Sequence, residues 1–183
     1  VTKQLILILG GARSGKSTHA EKLALELGGP HVLYVATAQA FDDEMRVRIA
    51  AHRAGRPAGW RTLEAPTLVG GALHQAIGTA QVILLDCMTL LASNAILHLG
   101  DDPAGPVVED AINREVSALL TAYRAGEATW IVVSNEVGMG LVPPNPLGRL
   151  YRDALGRANQ RLADAADRVL LMVAGLPLVA KAP

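Results

Sequence analysis

Five short apolar runs punctuate the chain, at 5–9, 32–36, 82–85, 130–133 and 169–173. Continuous runs of this length, bounded by polar or glycine-bearing stretches, mark strands buried on both faces, as in a parallel sheet. Longer segments with helical periodicity separate them, at 16–28, 42–54, 88–98, 107–125 and 147–165. This alternation predicts an α/β domain with a mostly parallel central sheet and helices on both faces. After the last run, Gly175-Leu176-Pro177 reads as a turn and 178–180 as a short antiparallel edge strand. Two irregular stretches stand out: a surface loop at 101–106, and 138–146 with prolines at 143, 144 and 146. Irregular segments that follow strands are where such sheets gather ligands.

Composition narrows the class. The chain has 183 residues, half of them hydrophobic, with 17 basic and 17 acidic side chains. That length predicts one domain over 1–183, large enough to bury about 70% of the surface exposed on unfolding. Balanced charge argues against a nucleic-acid binder, and the six aromatic side chains are too few for base-stacking platforms. The single cysteine, Cys87, allows no internal disulfide and no cysteine metal site, which suits a reducing, cytoplasmic setting. No apolar stretch matches a signal peptide or reaches the roughly 20 residues of a spanning helix, so membrane insertion is not expected. The run 82–99 is interrupted by Asp86, Asn94 and His98.

The first strand leads into Gly10-Gly11-Ala12-Arg13-Ser14-Gly15-Lys16-Ser17, which matches G-x-x-x-x-G-K-S between a buried strand and a helix. The glycines let backbone N–H groups turn towards phosphate oxygens, and the helix N-terminus adds partial positive charge. In this pattern Lys16 reaches the β- and γ-phosphates and the Ser17 hydroxyl ligates Mg²⁺. The domain is therefore expected to be of the P-loop, RecA-like kind. A second Mg²⁺-supporting group should close a strand beside the first, and Asp86, which ends four apolar residues, is the candidate. The competing reading of Asp86 is a cap for the helix that follows.

Other motifs limit the nucleotide chemistry. A guanine-reading N-K-x-D is absent, and the D-x-x-G at Asp102-Pro103-Ala104-Gly105 has no strand before it. In 42–54 an acidic start suits the helix dipole, and Gly55 is placed to end the helix. Met45, Ile49 and His52 fall on one face at i, i+4 and i+7, where a histidine can be a packing residue or a nucleophile. His19, His31, His74 and His98 carry no motif of their own and read as structural or solvated.

Further segments follow the phosphate loop in order: Tyr34-Val35-Ala36-Thr37-Ala38; Asp43-Glu44-Met45, Arg48-Ile49, His52-Arg53, Arg56-Pro57, Trp60-Arg61-Thr62 and Glu64; Asn135-Glu136-Val137-Gly138-Met139-Gly140 with Pro143; and Arg152-Asp153, Gly156-Arg157, Asn159-Gln160 and Ala166-Asp167. Together these resemble, nearly end to end, the bifunctional adenosylcobinamide kinase / adenosylcobinamide-phosphate guanylyltransferases of cobalamin biosynthesis. The resemblance implies two reactions. One transfers a γ-phosphoryl group from ATP or GTP to the aminopropanol hydroxyl of adenosylcobinamide. The other transfers GMP from GTP, through a histidine–GMP adduct, onto adenosylcobinamide phosphate, giving adenosylcobinamide-GDP and pyrophosphate. It places the adduct on His52; some relatives carry two adjacent histidines where this chain has Ala51-His52.

A neutral imidazole can attack phosphorus without a separate base, which makes that assignment chemically sound. The resemblance further implies nucleotide contacts at Gly10, Gly11, Ala12, Arg13, Ser14, Gly15, Lys16, Ser17, Ala36, Thr37, Ala38, Arg53, Ala54, Gly55, Arg56, Glu64 and Asp86. Arg53 and Arg56 would neutralise phosphate charge, and Glu64 would read guanine N1–H and the 2-amino group. It implies a homo-oligomer, a trimer, with 138–146 as a subunit or corrinoid contact. Two other classes stay open on the residues: a single-function P-loop small-molecule kinase with His52 structural, and a non-catalytic nucleotide-binding regulator.

Overall fold

A computed structural model describes residues 2–40 and 43–182, with Glu44, Met45, Arg48, Ala51 and His52 described in their backbone only. The elements run β1 (Leu5–Gly10), α1 (Lys16–Gly28), β2 (Val32–Ala36), α2 (Asp43–Ala54), β3 (Arg61–Glu64), α3 (Val69–Ala76), β4 (Val82–Asp86), α4 (Met88–Leu97), α5 (Gly105–Ala125), β5 (Thr129–Val133), α6 (Pro146–Ala165), β6 (Arg168–Val173) and β7 (Leu176–Lys181). The seven strands form one sheet in the order β3-β2-β4-β5-β1-β6-β7. Every pairing is parallel except β6 with β7.

The central strands are buried on both faces, and alternate residues feed two cores. Leu5, Leu7, Leu33, Val35, Ile83, Leu85, Trp130 and Val132 enter the core roofed by α3, α4, α5 and α6. Ile6, Ile8, Tyr34, Leu84, Ile131 and Val133 enter the opposite core, which α1 covers with Ala20 and Ala24. Gly28 lets α1 lie close on the sheet: a Cβ there would sit 2.8 Å from a Val82 methyl.

Several expectations are corrected in detail. The Val82–Asp86 strand does not lie beside β1, because β5 is inserted between them. The helix expected from 107 begins at Gly105, since Gly105-Pro106 forms a first turn that needs no N–H from proline. α6 begins at Pro146, where the Asn145 side chain accepts from the Gly148 N–H at 2.6 Å. The helix expected from 42 is described from Asp43 onwards. Two elements carry no apolar run that marks them: the edge strand β3 (RTLE), with a single half-buried leucine, and the eight-residue α3, which includes a Gly-Gly pair. Among the described residues no helix is long and apolar enough to cross a membrane.

A candidate nucleotide-binding active site

β1 delivers the chain into the glycine-rich loop, and the loop's backbone explains its glycines. Gly15 sits at φ 93° and Gly10 at φ 152°. A Cβ at Gly10 would lie 2.6 Å from Ser14 Oγ and 2.7 Å from the Met172 carbonyl. The Ser14 N–H donates to the Gly11 carbonyl, and the His19 N–H to the Gly15 carbonyl, where α1 begins. Lys16 is buried at the mouth of this loop. Its Nζ donates to the Gly11 carbonyl at 2.5 Å and lies 3.5 Å from Ser14 Oγ. Burial holds its pKa below the usual lysine value, against the opposing pull of Cys87 and Asp86.

A cavity of about 530 Å³ opens above the loop at the carboxyl ends of the strands. The fold predicts its place, since α/β sheets bind ligands there. Of the residues assigned from sequence, Ala12, Arg13, Lys16, Ser17, Ala36, Ala38, Arg56 and Asp86 line it. The inserted β5 separates the loop strand from β4 by two strand spacings, about 10 Å. Lys16 and Ser17 nevertheless share the cavity with Asp86. Asp86 is not the cap of α4: that place falls to Cys87, and Asp86 Oδ2 instead accepts the Tyr34 hydroxyl at 3.0 Å.

One wall is built from Ile49 on α2 and from Arg56, two residues past its end. The Arg56 guanidinium lies 3.6 Å from the Tyr34 ring centroid, its Nη1 donates to Thr62 Oγ1 at 3.1 Å, and its buried Nε has no partner among the described residues. Arg56 thus brings a guanidinium to the cavity wall, where a cation suits an anionic oxygen. Arg53 and Glu64 are exposed and pair with each other at 3.3 Å, outside the cavity lining. Thr37 is fully buried; its hydroxyl donates to the Cys87 carbonyl and accepts from the Cys87 N–H, both at 2.8 Å. Gly10, Gly11, Ser14 and Gly15 shape the loop, while Ala54 and Gly55 are exposed at the end of α2. The His52 side chain lies outside the described residues; its backbone is on α2. None of the other four histidines lines the cavity, and His98 Nδ1 bonds the Asn94 carbonyl at 2.6 Å.

Tyr34, Thr89 and Asn135 are lining residues that the sequence reading did not assign. Tyr34 hides inside an apolar run, and only the alternation of faces along β2 could have flagged it. Asn135 lies just past the end of β5, next to the loop strand; its N–H donates to Thr89 Oγ1 and its carbonyl accepts from Asn159 Nδ2. Asp86 and Ser17 offer a carboxylate and a hydroxyl to one cavity. Hard oxygen donors in that small number fit Mg²⁺, which keeps waters and phosphate oxygens as its remaining ligands.

The fold and this cavity define a P-loop nucleotide-dependent phosphotransferase. The sequence profile of the family "Cobinamide kinase / cobinamide phosphate guanyltransferase" matches residues 6–180. The bifunctional adenosylcobalamin biosynthesis protein CobU of Escherichia coli K12 is 44% identical over 177 residues, covering 94% of this chain and 97% of that protein. CobU of Salmonella typhimurium is 46% identical with the same coverage, and CobP of Pseudomonas aeruginosa is 46% identical over 175 residues, 96% of each. The chain belongs to the cobinamide kinase / cobinamide phosphate guanyltransferase family.

Proposed function

We propose that one cavity serves both reactions of the family, with His52 carrying GMP between them. As a member of that family the chain is a nucleotide-using transferase, a cobinamide kinase and cobinamide phosphate guanylyltransferase. The observation that carries the one-cavity reading is that Lys16, Ser17, Asp86 and Arg56 all line the same space.

In the kinase step the hydroxyl of adenosylcobinamide takes the γ-phosphoryl group of ATP or GTP. Catalysis there is positioning and charge stabilisation. Lys16 leaves the Gly11 carbonyl for the phosphate oxygens, loop N–H groups hold the β-phosphate, and Arg56 supplies a second cation. Mg²⁺, held by Ser17 and Asp86, would supply neutralisation of charge on the leaving phosphates.

In the guanylyl step the imidazole of His52 bonds to the α-phosphorus of GTP and the bond to pyrophosphate breaks. The phosphate of adenosylcobinamide phosphate then attacks that phosphorus, and the P–N bond breaks to release histidine and adenosylcobinamide-GDP. The position of His52, three residues after the cavity-lining Ile49 on α2, supports this role. Glu64 reads guanine after turning from its ion pair with Arg53. The chain works as a homo-oligomer, a trimer, and 138–146, where Met139, Leu141 and Val142 are exposed, meets the corrinoid or a second copy. Light scattering checks that assembly.

The deciding experiment incubates GTP radiolabelled on its α-phosphate and Mg²⁺ with wild type and His52→Ala. Label that stays on denatured wild type only, is lost in acid and survives alkali is the phosphoramidate at His52. No label on a wild type that still phosphorylates adenosylcobinamide leaves a single-function kinase.

A further inference from the structure

We propose that Tyr34 is a positioning residue of the nucleotide site, one side chain that fixes both the Asp86 carboxylate and the Arg56 guanidinium. The inference rests on the reading above, in which Asp86 supports the metal and Arg56 meets the phosphates.

The geometry is specific. The Tyr34 hydroxyl donates to Asp86 Oδ2 at 3.0 Å, and the Arg56 guanidinium carbon lies 3.6 Å from the ring centroid. The ring is 3% exposed and stacks on Trp60 with centroids 6.5 Å apart and planes at 29°. Trp60 is itself anchored, its Nε1 donating to the Gly29 carbonyl at 3.0 Å. In the sheet Tyr34 pairs with Leu84 of β4 on one side and Thr62 of β3 on the other. Thr62 is also the residue that accepts from Arg56 Nη1. Tyr34 therefore stands in register between the strand that bears Asp86 and the strand that braces Arg56.

Each contact has a separate consequence. The hydroxyl occupies Oδ2, so Asp86 presents its other oxygen to a cation in a fixed orientation. Losing such an outer partner of a metal-binding group typically lowers metal affinity about 10–100-fold. The ring face holds the guanidinium by cation–π attraction, which leaves N–H groups of Arg56 for phosphate oxygens at the cavity wall. Tyr34→Phe removes the first contact and keeps the second; Tyr34→Leu removes both.

The test uses the full chain and reads binding as well as activity. Mn²⁺ affinity of the enzyme–GTP complex is followed by electron paramagnetic resonance, and GTP affinity in EDTA by calorimetry. Tyr34→Phe should weaken Mn²⁺ binding about 10-fold or more while metal-free GTP affinity stays within twofold. Tyr34→Leu should weaken both, and in a Tyr34→Leu/Arg56→Ala double variant the loss of GTP affinity should be less than additive. If Tyr34→Phe, with its ring and packing intact, leaves Mn²⁺ affinity within twofold, Tyr34 only packs and the proposal falls. Asp86→Ala separates the two layers of inference. No change in Mn²⁺ affinity in that variant overturns the metal reading itself; a large change there with none in Tyr34→Phe overturns the positioning role of Tyr34. Should Tyr34→Leu fail to fold, Tyr34→Phe and Asp86→Ala still decide.

Discussion

The Gly175 N–H donates to the Ser14 carbonyl at 2.9 Å, so the turn between the last two strands braces the phosphate loop. Gly15 faces that turn: a Cβ on it would come 3.1 Å from Gly175 Cα, at a φ of 93°. Gly15→Ala should therefore distort the loop where it approaches phosphate. The left-handed conformation alone costs about 1–2 kcal/mol for a residue with a Cβ. We expect GTP affinity to fall at least about 10-fold, measured by calorimetry, with a lower melting temperature in the same variant.

Lys16 gives a prediction in pH. In the proposed mechanism nucleotide binding uses the Lys16 ammonium, and burial lowers its pKa from the usual 10.5. As pH rises, the ammonium loses its proton earlier than an exposed lysine would, so nucleotide affinity declines on the alkaline side below 10.5. Lys16→Arg, which stays charged above pH 12, should remove that decline even where its overall affinity is weaker. A GTP binding curve from pH 7 to 10.5 for both proteins checks this.

The fold was legible because its central strands are buried on both faces, and β1, β2, β4, β5 and β6 are apolar along most of their length. β3 escaped because an edge strand with exposed Arg61, Thr62 and Glu64 carries no such run. The phosphate loop was legible as a contiguous motif whose glycines answer to backbone geometry. Tyr34 and Asn135 were not, since their roles depend on strand order: β2 lies between β3 and β4, and β5 enters between β1 and β4, arrangements made by long-range pairing rather than by local pattern. Glu64 shows the opposite case, a residue marked by resemblance that in this structure pairs with Arg53 outside the cavity lining.

That pairing frames the test of base selectivity. Glu64→Gln keeps the shape but loses the charge proposed to accept from guanine. GTP should lose its advantage over ATP in forming the labelled adduct, by about 10-fold or more. An unchanged GTP-to-ATP ratio would assign Glu64 to the Arg53 ion pair only.

Cys87 lines the cavity yet is protected chemically. Burial, reinforced by the Asp86 charge, pushes its thiol up to about 11. Alkylation by iodoacetamide at pH 8 should be far slower than that of glutathione and should accelerate as pH approaches 11. Rates followed by intact-protein mass spectrometry, with and without GTP, test both the shift and the shielding by nucleotide.

Asn94 is 2% exposed, and its Nδ2 donates to the Thr37 carbonyl at 2.8 Å and the Pro66 carbonyl at 2.9 Å. Asn94→Ala strands both acceptors in a buried place. A loss of about 2–4 kcal/mol of stability follows, read from urea unfolding. Asn94→Asp, which cannot donate when ionised, should be no better.

Two anchors flank the residues that build the α2 side of the cavity: the Asn94 amide on the Thr37 carbonyl, and the Gly29 carbonyl on the Trp60 ring N–H. Two of the cavity's lining residues, Ile49 on α2 and Arg56 just beyond its end, lie between those anchors in the chain. Such a stretch is a cassette in the evolutionary sense. It can diverge, or be exchanged with the matching stretch of a relative, without redrawing the phosphate loop and the strand order that hold Lys16 and Asp86 in place.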